Sequence, residues 1–472
     1  METTYDVRFW KTDVYRGEKT TTYKVRWTVA GKPFKRPHKT AALANSFRSE
    51  LVAAAKRGEA FYVGTGLPVS MDRQDVTTTW FTFASDYAAM KWPNLAANSR
   101  RCTARSLTDV TIAMVGTARG KPSAESIREA CGWAFNGRRR NKEEPSADVR
   151  ATVEWLTRHT RKVSDLTQPD TVRQVLLVLG TKHDGSKAAP SSLQRRRGPF
   201  VNALEYAVEK RLLRSNPVPA LKVKTTRAVK ELDVAVVVNP EQARALLDAV
   251  SRQGKSGKML KAFFGVMYYC GLRPGEAVNL RRENVRLPKR KRNRMTGKLE
   301  PPKGEWGELS FTQSAPAAGA AWTDNGKRRE VRQLKGREIG ERRTPPCPPE
   351  LVRLLWDHLD NHGTDTEGRL FRGVETGGEV PEGTYCRVWK KAREDALSDE
   401  ECASPLAGRP YDLRHACVST WLAAGVPSAQ VARWAGHSID VLHRIYAKVL
   451  ADQEDSFRKR IDKVLSSEDK EE

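Results

Sequence analysis

The sequence predicts a multidomain protein, mainly α-helical with small β-sheets. Three observations predict it. A chain of 472 residues makes about three domains at roughly 100 to 200 residues each. Its 39% hydrophobic residues and 12 Trp are enough to build cores. Apolar residues recur at helical spacing in most segments, whereas period-two alternation is found near the N-terminus and a two- or three-strand region is expected near 307–346.

The charge narrows the partner. Lys and Arg number 83 against 57 Asp and Glu, a net of +26, and the pI is near 9.9. Such an excess points to a polyanion, above all nucleic acid, because neutralising phosphates releases condensed counterions. No apolar run approaches the ~18 residues of a membrane span, and the first residues lack the features of a signal peptide, so a cytoplasmic protein with no membrane partner is expected. The seven cysteines are scattered without a CxxC pair, which argues against a disulfide framework or structural zinc. No HExxH, His/Cys cluster, two-metal carboxylate set or Walker A sequence is present, so neither a metal nor another cofactor is expected.

Along the chain, Tyr23 to Val29 alternates apolar and polar residues and reads as a strand, followed by a turn at Gly31-Lys32-Pro33. Tyr5/Val7/Phe9 and a stretch near Phe34 complete a small sheet. A helix then starts near Thr40 with Leu43, Phe47, Leu51 and Ala54 on one face, stopped by Gly58. This β-β-β-α module, residues 1–62, carries 13 basic and 6 acidic side chains, a net of +7 that includes Arg26, Lys32 and Lys35. It is either a DNA-binding sheet or a solubilising cap. Residues 75–215 read as mostly helical, with helices at 82–90, 147–158 and 193–213. Basic clusters lie at Arg138-Arg139-Arg140 and Arg195-Arg196-Arg197, each a solvated face or a phosphate contact. Residues 216–238 look like an interdomain linker. Asn239-Pro240 starts a new helix, with Asn at the N-cap and Pro at the first helical position. The final segment, 239–450, mixes helices with the strand region, and Lys289-Arg290-Lys291-Arg292 lies in a stretch without periodicity, expected to be a flexible basic loop. The tail, 451–472, has a net charge of −3.

Three local sequences in this last segment can carry chemistry. In Gly271-Leu272-Arg273-Pro274-Gly275-Glu276, an apolar helix stops at Gly271 and another begins at Pro274. Arg273 therefore sits at a helix N-terminus, favourable for a phosphate, with pairing to Glu276 as the plain alternative. In Tyr411-Asp412-Leu413-Arg414-His415, Arg414 lies beside a core-facing stripe and needs an anionic partner, either a structural carboxylate or a substrate phosphate. In Gly436-His437, followed nine residues later by Tyr446, a histidine ends one short helix and a tyrosine lies on the next, where core packing is the plain alternative.

Taken together, in order and spacing, these strings resemble the boxes of the tyrosine recombinase (phage integrase) family: G-L-R-x-x-E, H-x-x-R, G-H and the nucleophilic Tyr. The resemblance covers residues ~240–450 and implies a mixed α/β tyrosine recombinase catalytic domain. It further implies that Arg273 and Arg414 clamp the scissile phosphate, Glu276 supports them, His437 helps bind the phosphate and Tyr446 attacks it. The family's catalytic Lys lies on a β-hairpin between the first two boxes. Lys335 in Gln333-Leu334-Lys335-Gly336-Arg337 is the best match, and Lys327 is its rival. Box two departs from the pattern, having Tyr411 where the family has His. Either Tyr411 takes that place or His415 does; Tyr411 is favoured because it keeps its distance of three from Arg414 and a phenol both donates and accepts.

The resemblance also implies a reaction, a tyrosyl attack that leaves a 3′-phosphotyrosyl link and frees a 5′-hydroxyl, with Lys335 as general acid. Residues 75–215 then correspond to a helical core-binding domain and 1–62 to an arm-type DNA-binding module; the loop with Lys289 and Arg290 is, from its charge alone, either a contact to the phosphate backbone or a solvated loop. Tyr411 to Lys448 is similar to integrases of actinobacterial phages and integrative elements. Implied partners are double-stranded DNA at core and arm attachment sites, a homotetramer on DNA that passes through a Holliday junction, a DNA-bending host factor and an excisionase or directionality factor. The competing readings are a type IB topoisomerase-like relaxing enzyme and a non-catalytic DNA-binding regulator.

Overall fold

In the computed structural model the described residues are 2–17, 21–71, 77–182, 184–221, 232–295, 297, 299–301, 303–336, 338, 340–451, 458, 459, 461, 462 and 465, with backbone alone for 448–451. The chain is mainly helical with small sheets. It divides into two compact units, one of Met1–Asn94 with Cys102–Thr225 and one of Leu95–Arg101 with Thr226–Glu472. Part of the expected linker, 222–231, and most of the expected tail lie outside the described residues. No described helix is long and apolar enough to cross a membrane.

In the first unit the strand Thr21–Val29 is the centre of an antiparallel sheet. It pairs with Val7–Phe9 and Asp13–Arg16, and with Lys32–His38. Alternation does what the pattern says: Val25, Trp27 and Val29 are buried while Arg26 faces out. The helix Ala41–Lys56, capped by the Thr40 side chain, covers the apolar face through Ala44, Phe47, Leu51 and Ala54. Leu43, expected in that stripe, is exposed instead. Ala44 is about 100° further round the helix and brings the smaller side chain to the sheet. Lys32 begins a strand rather than ending a turn; the left-handed turn residues are Ala30 and Gly31.

The rest of this unit is helical: Trp80–Lys91, Ala124–Ala134, Gly137–Lys142, Ala147–His159, Pro169–Leu179 and Pro190–Glu209, with most of Ala97–Met114. Trp80, Phe81, Phe83, Phe135 and Phe200 fill its core, and the Trp80 indole donates to Thr111 Oγ1 at 3.1 Å. The last helix stops four residues short of Leu213, and the chain turns at Arg211, whose φ is +60°.

The second unit is built around the helix Gly254–Tyr269, whose Phe263, Phe264 and Met267 are buried. Pro240–Ser251, Pro349–His362 and Glu382–Ala396 pack on it, as does Asp412–Ala423. Asn239 and Gln242 close a capping box at the start of Pro240–Ser251. A three-stranded sheet sets Gly307–Leu309 between Val285–Arg286 and Pro346–Cys347, and Gln313–Ser314 pairs with Arg332–Gln333. The expected basic loop is a hairpin, Lys291–Arg292 against Leu299–Glu300. Both of its faces meet solvent, so no alternation marks it in the sequence, and Asn293 ties its turn by donating to Glu300 at 2.8 Å.

Candidate active site

The site begins where the helix Gly254–Tyr269 ends. Gly271 is left-handed, φ +59°, and turns the chain into the short helix Pro274–Val278 with Arg273 at its N-cap. The Glu276 side chain closes that helix start. It accepts from the Arg273 backbone N–H at 2.7 Å and from Arg273 Nη1 at 2.9 Å. The expected pair therefore exists, but it is one edge of a larger cluster. Arg343 forms a second ion pair with the same buried carboxylate, and Arg414 Nη1 lies 4.0 Å from it. Burial alone would raise the Glu276 carboxyl, yet the guanidiniums of Arg343, Arg273 and Arg414 hold it down at about 2.

The other wall is the C-terminal end of Ser428–Ala435, where three successive carbonyls have no helical partner. Each takes one arginine. Arg343 Nε donates to Trp434 O at 2.6 Å, Arg414 Nη2 to Ala435 O, and Arg273 Nη2 to Gly436 O at 3.1 Å. Gly436 is left-handed, φ +66°, ending the helix and turning His437 into the site. His437 Nε2 lies 2.9 Å from Arg414 Nη2. Burial, joined by Arg414 and Arg273, lowers His437 to about 3, so it is neutral at neutral pH. Arg414 is fully buried, which with the neighbouring Arg273 charge lowers its own pKa. Arg414 Nε and His437 Nδ1 are buried with no hydrogen-bond partner among the described residues; with His437 Nε2 accepting from Arg414, both are donors left for a bound anion.

Tyr446 is buried on Ile439–Ala451, at a point where φ −106° and ψ 20° break the helical geometry. Its ring lies 6.4 Å from that of His437, and its hydroxyl is 2.9 Å from Nδ1 of His415. Burial pushes the Tyr446 phenol up and lowers His415 to about 4. The arrangement is an anion-binding set of guanidiniums beside a phenol with an adjacent neutral base, a constellation suited to nucleophilic attack on a phosphate.

Solved structures similar to the chain include the Tn1549 transposon integrase in complex with a circular intermediate DNA, at 14% identity over 71% of this chain and 98% of that one, TM-score 0.46. Another is the XerH site-specific recombinase bound to palindromic difH substrate, at 10% identity over 83% and 97%, TM-score 0.48. A third is a lambda integrase dimer bound to a COC′ core site, at 11% identity over 93% and 95%, TM-score 0.43. These structural neighbours are tyrosine recombinases. No family model and no curated protein sequence matches the chain.

Beside the cluster, Tyr411 packs edge-on against His415, ring centroids 5.2 Å apart, and it helps to raise the Arg273 pKa after Glu276 has outweighed the effect of burial. The structure brings His415, not the favoured Tyr411, to the Tyr446 hydroxyl. Lys335 takes part in none of these contacts. It is exposed on the turn after Arg332–Gln333, and Lys327 is likewise exposed. Arg343 was hidden in the run Arg342 to Pro346, where nothing local separates it from the exposed Arg342. Among the described residues no group of side chains could hold a metal ion.

The expected DNA contacts differ in availability. Lys32, Lys35, Arg195 and Lys289 are exposed, and Arg26 faces out but pairs with Asp13 at 2.8 Å. Arg139 Nε donates to Glu143 at 2.9 Å, beside the half-buried Arg138. Arg196 donates to Thr181 O at 3.0 Å. Arg290 is committed to the protein, pairing with Asp360 and stacking 4.3 Å over Trp356, so it anchors the hairpin.

Proposed function

We propose that this chain is a site-specific DNA recombinase of the tyrosine recombinase family, an integrase that cuts and rejoins DNA for a phage or mobile element. One juxtaposition carries the reading: the Tyr446 hydroxyl meets neutral His415 beside the cluster of Arg273, Arg414 and His437. Arg273 and Arg414 hold the scissile phosphate, trading their carbonyl contacts at Gly436 and Ala435 for phosphate oxygens, and Glu276 keeps the buried guanidiniums compensated. His437 donates to the phosphate. Tyr446 passes its proton to His415 and attacks, forming the tyrosyl–phosphorus bond as the bond to the 5′ oxygen breaks. Lys335 is the group assigned to protonate that leaving oxygen, from the exposed turn after Arg332–Gln333.

The covalent link stores the bond energy, so the 5′-hydroxyl of another strand reverses the step. Two rounds through a Holliday junction, within a tetramer on two duplexes, complete the exchange. Residues 75–215 serve as the core-binding clamp and 1–62 as the arm-binding module, with a bending factor and a directionality factor as partners. The test is a suicide substrate with a nick beside the cleavage position. Wild-type protein should give a covalent protein–DNA adduct and Tyr446→Phe none; an adduct with Tyr446→Phe, or none with wild type, refutes the assignment.

A further inference from the structure

We infer that Arg343 is a positioning residue of this site: it ties the Glu276 carboxylate, the turn at Gly271 and the end of Ser428–Ala435 into one frame, from which Arg273, Arg414 and His437 meet the phosphate. The inference rests on the recombinase reading and adds to it a residue that touches no DNA.

The geometry leaves Arg343 no other role in the reaction. Its side chain has 0% exposure, as does that of Arg414, but Arg414 keeps an Nε without a partner among the described residues, whereas every nitrogen of Arg343 is hydrogen-bonded to protein. Its fork is spent on protein acceptors: Nη1 on Glu276, Nη2 on Gly271 O at 2.8 Å and Cys270 O at 3.3 Å, and Nε on Trp434 O. Those acceptors belong to two separate stretches, 270–276 and the end of Ser428–Ala435, and each stretch supplies a reacting group. The turn at Gly271 leads to Arg273 two residues on, and Trp434 is three residues before His437. Arg414 shares the Gly271 carbonyl with Arg343. When Arg273 and Arg414 exchange their carbonyls for phosphate oxygens, Arg343 is the arginine that still holds the helix end. A planar guanidinium suits this task because its donors diverge at fixed angles, which an ammonium cannot reproduce.

Three guanidiniums face Glu276: Arg273 from its own helix start, Arg343 from the segment before Pro346–Cys347, and Arg414 from Asp412–Ala423. Removing one charge from this set makes Glu276 easier to protonate, and protonated Glu276 releases Arg273. This gives a readout that a merely structural ion pair would not move.

The experiment compares full-length Arg343→Met and Arg343→Lys with wild type. It measures single-turnover cleavage of the nicked substrate against pH, DNA affinity by anisotropy and folded fraction by circular dichroism. Both variants should lose about tenfold or more in cleavage, since misplacing reacting groups by ~1 Å costs up to about 10²-fold. Affinity should stay within about threefold, as the phosphate contacts outside the site are untouched. The acid limb of the profile should move to higher pH in Arg343→Met and stay in place in Arg343→Lys, which keeps the charge beside Glu276. Cleavage within about threefold of wild type in both variants overturns the assignment, as does cleavage falling only in step with affinity and folded fraction, or loss of the fold in both. An adduct absent from wild type sinks the recombinase reading as well; a wild-type adduct with unaffected variants sinks this assignment alone.

Discussion

Nδ1 of His415 lies 2.9 Å from the Tyr446 hydroxyl, joining Asp412–Ala423 to Ile439–Ala451. Burial lowers His415 to about 4 and raises the phenol, so at neutral pH a neutral imidazole faces a protonated tyrosine. That is the starting state a general base requires. Tyr411 contributes an edge-on ring to His415 and a polar neighbour to Arg273, which is a supporting place rather than a proton-accepting one.

His415→Ala should therefore slow covalent adduct formation by about 10²-fold or more, the usual scale for a general base, with DNA affinity retained. Tyr411→Phe should stay within about tenfold of wild type, because it keeps the ring against His415 and loses one hydrogen-bonding group. Single-turnover cleavage measures both. A larger defect in Tyr411→Phe would return the box-two role to Tyr411.

How much of this was legible depends on how local the cause is. Asn239-Pro240 and Arg273-Pro274 mark helix starts because capping is settled within four residues, and the structure has helices at Pro240 and Pro274. Arg273, Arg414, His437 and Tyr446 could be picked out because their spacing forms a pattern. Arg343 could not, since its partners are 67 to 91 positions away and only the fold creates its burial. His415 was visible as an alternative, but which of Tyr411 and His415 meets Tyr446 depends on the rotation of one helix against another. The hairpin at 291–300 was missed because a ribbon wet on both faces needs no apolar alternation.

Stability should fall on acidification in two stages. His415, His437 and the buried His358 have folded values of about 4, 3 and 4, below their ordinary 6.5. As pH drops from 6.5 towards 4 and then 3, the unfolded chain binds protons that the native fold refuses, so stability falls with pH through that window. Glu276, held at about 2 against an ordinary 4.5, adds a loss between those values, because the unfolded carboxylate protonates first. Urea midpoints at pH 7, 5.5 and 4.5 should decrease in that order, and a midpoint constant across them would contradict these environments.

Glu276→Gln should cost about 3 kcal/mol or more in urea unfolding at neutral pH. It leaves Arg343 and Arg414, both buried, without their shared carboxylate, and breaking a buried pair from one side is expensive. A change below about 1 kcal/mol would mean that the backbone carbonyls alone compensate the guanidiniums.

On the hairpin, Arg290 and its neighbours should separate by function. Lys291 and Arg292 are exposed, so Lys291→Gln and Arg292→Gln should weaken DNA binding at low salt, each reducing the slope of log affinity against log salt by about 0.9. Arg290→Ala should act through the fold, loosening the contact with Trp356 and Asp360. Anisotropy across a salt series decides; equal slopes for wild type and the Lys291 and Arg292 variants would remove the hairpin from the DNA interface.

The backbone N–H of Leu232 donates to the carbonyl of Ile445 at 2.7 Å, one residue before Tyr446 and at the point where Tyr446 departs from helical geometry. Leu232 is itself buried in the cluster that holds Tyr446. Side chain and hydrogen bond can be separated. Leu232→Pro removes the donor, while Leu232→Ala keeps it and empties part of the cluster. If the hydrogen bond sets the angle at which Tyr446 is presented, Leu232→Pro should slow single-turnover cleavage by about tenfold or more, a loss typical of a misplaced nucleophile. Leu232→Ala should then lower the unfolding midpoint, since truncating a buried Leu costs about 2 to 5 kcal/mol, yet cleave within about threefold of wild type while folded. Equal slowing in the two variants would mean that apolar packing, and not the backbone contact, holds the tyrosine in place.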